Sequence, residues 1–332
     1  MEAPSNHETS VHGVPEVPSQ RSRIVAITGP TATGKTALGV ALALRFGGEV
    51  VNADSRYLYR GFDIGVAKPS LQERQGVPHH LIDILPPYGM MSLASYQDLA
   101  MIALRDILAR GRPPVLAGGT PLYINAVVEG WRIPRVPPNY DLRAALETEA
   151  AESGIAALAE RLRVIDPATA ARSGNNARRI IRALEIHDAT GIPMSELEGK
   201  GPPPFDTLEI GLTAPRRWLY QRVDDRVLAH IDRGLVAEVQ TLLASGISET
   251  APAMKSLGYR QLLPYLRGEC SLDQAVARTQ LDTHRYIRHQ ETWFRRNPRL
   301  VWFDVTTPGW QEAVMTHIGD FLNPPDASIE RE

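Results

Sequence analysis

Ile24-Val-Ala-Ile-Thr-Gly-Pro-Thr-Ala-Thr-Gly-Lys-Thr36, continued by Ala37-Leu-Gly-Val-Ala-Leu-Ala-Leu-Arg-Phe46, decides the fold. Ile24–Thr28 is a short apolar run stopped by Gly29, the signal of a buried strand. Ala37–Phe46 reads as a helix. Between them Gly29 to Thr36 fits G-x-x-x-x-G-K-[ST], and a strand before it and a helix after it are the context that makes this pattern a phosphate loop. Its glycines let the backbone wrap an anion, successive N–H groups point inward, and the helix N-terminus adds partial positive charge. Lys35 would reach the terminal phosphate oxygens, and the Thr36 hydroxyl would hold Mg²⁺.

Outward from the loop, Glu49–Asp54 predicts a second strand that ends in a carboxylate. Leu93–Arg110 has helical spacing and is stopped by Gly111 and Pro113. Pro114–Ala117 predicts a third strand, ended by Gly118-Gly119-Thr120. Strands alternating with helices indicate a parallel α/β sheet, whose ligands bind beyond the carboxyl ends of the strands. Asp54 therefore belongs beside the phosphates, where it could hold Mg²⁺, act as a general base or cap a helix. Thr120 offers a hydroxyl at the same edge, or an N-cap. No carboxylate ends the third strand, which argues against an ATPase.

After Gly130 the pattern changes. Pro134, Pro137 and Pro138 mark a linker, and Asp141–Thr190 is helical throughout. Leu208–Leu212 returns to strand, and Arg216–Ser245 is helical with a break near Gly234. Leu272–Arg296 is a long basic helix, Val301–Val305 a last strand and Gly309–Leu322 a last helix. The expected organisation is an α/β core of residues 22–130 and 201–322, interrupted by a helical insertion at 131–200. Residues 1–21 and 323–332 are polar and aperiodic, and are expected to be a disordered leader and tail.

At 332 residues the chain is long enough for about two domains. The single cysteine, Cys270, excludes a disulfide framework and any multi-cysteine metal site. No run of 18 apolar residues occurs, so no membrane span is expected. The N-terminus lacks the apolar segment of a secretory signal, and a cytoplasmic protein is expected. Net charge is −2, so nucleic acid would need a local patch. One exists: Met254–Arg299 carries nine Lys and Arg against four Asp and Glu, interleaved with Tyr259, Tyr286, His289, Trp293 and Phe294. Bases stack on rings and guanidinium planes, so this mixture suits single-stranded RNA. Arg178, Arg179 and Arg182 form a second stripe. Among the 36 basic residues only Lys35, Lys68, Lys200 and Lys255 are lysine. A lysine kept in an arginine-rich chain marks a place for a compact point charge rather than a planar fork.

GPTATGKTAL, NADSRYLYRGFDIGVAKP, GGTPLYINAVVEG, ARRIIRALEI, KSLGYRQLLPYLRGE and HQETWFRRNP occur in this order. In these blocks, from about Ile24 to Leu322, the chain resembles the bacterial tRNA dimethylallyltransferase (isopentenyltransferase) family. The resemblance implies a P-loop NTPase-like parallel sheet flanked by helices, with a helical insertion domain. It also implies a reaction: a dimethylallyl group passes from dimethylallyl diphosphate to N6 of adenine 37, just 3′ of the anticodon, in tRNAs reading codons that begin with U. Diphosphate leaves and Mg²⁺ assists. On this reading Gly29, Pro30, Thr31, Ala32, Thr33, Gly34, Lys35 and Thr36 hold the diphosphate with Arg222 and Arg226. Asp54 is the general base, and Lys35, Thr31 and Arg226 complete the catalytic set. The tRNA contacts would be Asp54, Ser55, Arg56, Tyr57, Thr120, Arg143, Arg178, Arg179, Arg182, Ser256, Leu257, Gly258, Tyr259, Arg260, Gln261, Arg288, Gln290, Trp293 and Arg295. Where the family has Arg and Arg or Lys before its last strand, this chain has His284 and His289. With no Cys/His set like that of the C-terminal zinc finger in the longer eukaryotic forms, a bacterial type is expected. A monomer with tRNA and dimethylallyl diphosphate as its partners is expected. The rival readings are an adenylate prenyltransferase acting on free AMP, ADP or ATP, and a P-loop kinase of a small metabolite.

Overall fold

Strand β1 (Arg23–Thr28) is buried from Ile24 onward, as an unbroken apolar run requires when both faces of a sheet are covered. Helix α1 (Lys35–Phe46) follows the phosphate loop. Then come β2 (Glu49–Asn52), the single turn α2 (Leu71–Arg74) and the two-residue β3 (His79–His80). Helix α3 (Leu93–Ala109) precedes β4 (Pro114–Ala117), and α4 (Pro121–Val128) leaves it. The computed structural model describes residues 21–323, so the expected leader and tail lie outside the described residues except at Arg21 and Asn323.

An excursion follows: β5 (Trp131–Arg132), α5 (Tyr140–Ser153), α6 (Ile155–Ile165), α7 (Pro167–Ser173), α8 (Ala177–Thr190), α9 (Met194–Leu197) and β6 (Gly199–Lys200). β5 and β6 pair antiparallel, Trp131 with Lys200, and so close its neck. The excursion has its own core, in which Leu146, Leu158, Leu162, Ile180 and Leu184 pack together. Asn139, Asp166 and Asn176 each accept a backbone N–H three residues on, starting α5, α7 and α8. Such a cap is worth about 1 kcal/mol.

The chain then rejoins the sheet through β7 (Asp206–Thr213). Helices α10 (Arg216–Asp232), α11 (Leu235–Ala244), α12 (Tyr259–Leu266) and α13 (Leu272–Phe294) precede β8 (Val301–Asp304) and α14 (Trp310–Leu322). Among the described residues the sheet has six strands in the order β3-β2-β4-β1-β7-β8, all parallel. Alternation along β1 sorts its side chains onto two faces. Ile24 and Ala26 meet α3 and α4 through Leu104, Ile107 and Ile124. Val25 and Ile27 meet α1 and α14 through Leu38, Leu42, Val314 and Ile318. A third core, with Phe62, Leu235, Val239, Tyr259 and Leu262, joins the segment after β2 to α11 and α12.

The expected second strand is shorter than read. β2 ends at Asn52, because the Asn52 side chain accepts from Asp54 N–H at 2.8 Å and donates to the Asp54 and Leu81 carbonyls. This turn carries Asp54 off the strand and over the sheet edge. Strand β3 has no sequence signal, being two histidines. Helix α12 is masked in the sequence by Pro264, which lies inside it.

Candidate active site

Three connections leave the carboxyl ends of neighbouring strands and converge: the phosphate loop after β1, Asp54 after β2 and Gly118–Thr120 after β4. Close approach requires glycine here. A Cβ on Gly29 would lie 2.3 Å from the Leu212 carbonyl oxygen, and one on Gly118 would lie 2.1 Å from the Ala53 carbonyl carbon. Within the loop Ala32 and Gly34 take positive φ, 68° and 87°. Left-handed residues alternating in this way turn successive N–H groups toward one anion.

Lys35 donates its ammonium to the Pro30 carbonyl at 2.7 Å. Burial lowers its pKa to about 8, against the pull of Asp54 and with the push of Arg226. Arg226, on α10, donates to the Thr31 hydroxyl at 2.9 Å, while its Nε is buried with no partner. Burial likewise draws Arg226 below the usual guanidinium range. Two cations thus face the loop with fewer acceptors than they can use. Arg222 is placed differently: its guanidinium lies 4.8 Å over the Trp218 ring. It lines a separate cavity of about 450 Å³ with Ala32, Thr33 and Gly34.

Asp54 is no helix cap. One carboxylate oxygen accepts from Arg56 N–H at 2.9 Å in a local turn. The other lies close to Gly119, 3.5 Å from where a Cβ would stand. Thr120 occupies the N-cap position of α4, yet its side chain does not cap that helix. Its hydroxyl instead accepts from Ser55 N–H at 3.0 Å and so holds the Asp54 turn.

A cleft of about 720 Å³ runs from Thr31, Asp54 and Arg226 to Arg260, Arg278, Arg285, His289 and Trp293. Ser55, Arg56, Thr120, Leu257 and Gly258 also line it. So does His230, which sequence reading missed. It follows Arg226 by four residues and so shares its helical face. Burial and the flanking Arg226 and Arg233 lower its pKa to about 4, which keeps it neutral.

Other expected RNA contacts are engaged inside the protein. Tyr259 is fully buried; its hydroxyl donates to Glu238 and accepts from Gly65 N–H. Ser256 and Gln261 are buried, the first donating to the Ala253 carbonyl at 2.7 Å and the second to Asp282 at 2.9 Å. Tyr57 donates to the Ala67 carbonyl at 2.8 Å. Gln290 is 3% exposed and bonds Thr31 and Gly119. Arg143 and Arg182 both pair with the buried Glu185, and Arg182 also donates to the Val136 carbonyl. Arg178, Arg179, Arg288 and Arg295 remain exposed, with Arg288 donating to the Tyr220 hydroxyl at 2.9 Å. Phe294, counted among the stacking aromatics, is core. His284 lies stacked on Tyr220 at 4.0 Å, with its Nε2 2.8 Å from Asp224.

Among the described residues no cluster of three His, Cys, Asp or Glu could hold a metal, and no helix is long and apolar enough to cross a membrane. Mg²⁺ does not need such a cluster: it keeps waters and takes one or two protein oxygens beside substrate phosphates. The Thr36 hydroxyl, at the first turn of α1 directly after Lys35, is one oxygen of that kind.

The sequence matches the IPP transferase family over residues 57–297. It is 55% identical over 301 residues to a tRNA dimethylallyltransferase of Thermomicrobium roseum, covering 90% of this chain and 92% of the relative. It is 52% identical over 301 residues to one from a Roseiflexus species, covering 90% and 99%. Among solved structures it is similar to the tRNA isopentenylpyrophosphate transferase of Bacillus halodurans, with a TM-score of 0.67 and 39% identity over 91% of this chain and 96% of that one. It is also similar to a eukaryotic dimethylallyltransferase acting on tRNA, with a TM-score of 0.77 and 26% identity over 91% and 79%.

Proposed function

Because the chain belongs to the IPP transferase family, we propose that it transfers a dimethylallyl group from dimethylallyl diphosphate to N6 of adenine 37 of tRNA, beside the anticodon of tRNAs reading codons that begin with U. The observation that carries the reading is the cleft itself. Under-partnered cations, Lys35 and Arg226, sit at the phosphate loop, and the second Asp54 oxygen faces them. An opening lined by Arg260, Arg278 and Arg285, which share the buried Asp282, and by His289 and Trp293 leads down to them.

The chemistry follows from these positions. The allylic C–O bond breaks as negative charge gathers on the departing diphosphate, which the loop N–H groups, Lys35 and Arg226 stabilise. A new C–N bond forms from the exocyclic amine of adenine. That amine is a weak nucleophile because its lone pair is delocalised into the ring. Its proton passes to Asp54 as the bond forms. The adenine is out of reach while stacked, so the nucleotide must swing out of the loop into the cleft. Mg²⁺ held by Thr36 would supply further charge neutralisation to the leaving group. We take the protein to act as a monomer in the cytoplasm.

A mononucleotide acceptor would need neither a separately cored helical insertion nor an arginine-lined cleft beyond the phosphate loop. The test supplies labelled dimethylallyl diphosphate or γ-labelled ATP, with an anticodon stem-loop or AMP as acceptor. Label should pass from the prenyl donor to the stem-loop alone. Transfer to AMP with none to the stem-loop would overturn the proposal in favour of an adenylate prenyltransferase, and phosphoryl transfer from ATP would make the protein a kinase.

A further inference from the structure

Gln290 stands where the two halves of the site meet. It lies on α13 among Arg285, His289 and Trp293, which face the cleft, yet its own side chain turns inward and is 3% exposed. Its amide oxygen accepts from Thr31 N–H at 2.9 Å, and its amide nitrogen donates to the Gly119 carbonyl at 2.8 Å. One side chain therefore bridges the phosphate loop after β1 and the turn after β4. Gly119 is hemmed in by the reacting groups. A Cβ there would stand 2.7 Å from the Gln290 amide nitrogen, 3.5 Å from Asp54 Oδ2 and 3.8 Å from Lys35 Cε. A glutamine-length amide offers both a donor and an acceptor across this span, whereas a carboxylate accepts at both ends and an ammonium donates at all of them.

We propose that Gln290 is a positioning residue: from the basic helix α13 it fixes the distance between the diphosphate cradle and the Asp54 turn. The inference rests on the function proposed above, and it gives Gln290 a role other than direct contact with RNA. The bridge also withholds the Thr31 N–H from the diphosphate. That leaves the deeper loop N–H groups, together with the cations, to define where the leaving group sits. A misplacement of about 1 Å between reacting groups costs on the order of 10²-fold in rate.

The test compares Gln290→Met, which keeps length and loses both bonds, with Gln290→Glu, which keeps an acceptor for Thr31 N–H and loses the donor to Gly119. Single-turnover transfer, stem-loop affinity and the affinity for inorganic diphosphate are measured on each, beside the wild type. The expected result is a fall in transfer rate of about 10²-fold, diphosphate binding weakened several-fold, and stem-loop affinity with its salt dependence unchanged. If Gln290→Met does not fold, Gln290→Glu alone decides. Wild-type transfer and diphosphate affinity in the folded variants would overturn the proposal. So would a drop in stem-loop affinity with the transfer rate at saturation preserved, since that marks a direct RNA contact. Should the wild type itself transfer nothing, the proposed function fails, and the diphosphate measurement still judges the bridge.

Discussion

Lys35 and Lys68 are two of the four lysines in this arginine-rich chain, and their surroundings are opposite. Lys68 is 3% exposed at its side chain and saturated: its ammonium donates to the Tyr59 carbonyl at 2.7 Å, to Asp63 at 2.6 Å and to Asp83 at 2.5 Å. Three donors meet three acceptors, and two of these are carboxylates. Lys35 has one neutral carbonyl, beside a guanidinium that still lacks a partner for its Nε. A saturated cation is scaffold, because any ligand would have to displace what it already holds. An under-partnered cation is held ready, and what it lacks describes the ligand: a compact, strongly negative group.

The comparison breaks first at Asp54, the carboxylate that faces the under-partnered pair. Asp54→Asn keeps an oxygen for Arg56 N–H, so thermal stability should hold. The transfer rate should fall by roughly 10²–10⁴, and near wild-type single turnover on a stem-loop would remove the base assignment. Lys35→Ala should lose about 10²–10³ in rate with no loss of melting temperature. Lys35→Arg should fare nearly as badly, because a planar fork does not fit a cradle shaped for an ammonium. Lys68→Met should do the reverse. It strands Asp63 and Asp83 and should lower stability by about 3 kcal/mol, toward the low end for a broken buried pair because both carboxylates remain partly in water. Activity per folded molecule should survive. A Lys68→Met protein that melts like the wild type but does not turn over would cancel the distinction.

Arginines divide in the same way, with smaller effects. Arg288 and Arg295 are exposed, whereas Arg143 and Arg182 are committed to Glu185. Neutralising Arg288 and Arg295 should flatten the salt dependence of tRNA binding by about one counterion for each phosphate that no longer meets a guanidinium. Neutralising Arg143 should lower stability and leave that slope alone. Equal slopes in both variants would show that ion pairing does not sort these residues.

The smallest effect is a proton. In the free site the Lys35 ammonium has a pKa of about 8. Bound diphosphate favours the charged form and raises that value. Between the two values the empty site is deprotonated and the filled site protonated, so binding takes up a proton and affinity falls as pH rises through 8. Calorimetry at about pH 9 in buffers of different ionisation enthalpy should detect this uptake in the wild type and not in Lys35→Ala.

Much of this was legible in the residues. The phosphate loop, the strand before it and the helix after it are local in sequence, and their spacing alone identifies them. Asp54 could be placed at the right edge because strands end where apolar runs end. The partners that decide role were not legible. Gln290 bonds Thr31 across 259 positions and Arg226 bonds it across 195, so no local pattern carries either contact. Tyr259 reads as an aromatic among basic residues, and only the third core, with its ring 4.9 Å from Phe62, reveals it as packing. A basic stripe in sequence counts charges; it does not show that Glu185 has already taken Arg143 and Arg182.

The order of strands sets a timetable for synthesis. β1 pairs on one side with β7, Arg23 against Asp206. At 5–20 residues per second, the ribosome reaches that partner roughly ten to forty seconds after β1 is made. Throughout that interval the apolar run Ile24–Thr28 has an open edge and the phosphate loop has no Arg226 or Gln290 to hold it. The helical excursion, with its own core and caps, is made whole inside the gap. The oldest functional segment of the nascent chain is therefore among the last to acquire its working shape, and the interval before β7 emerges is when the protein most needs protection from pairing with a neighbour's exposed strand.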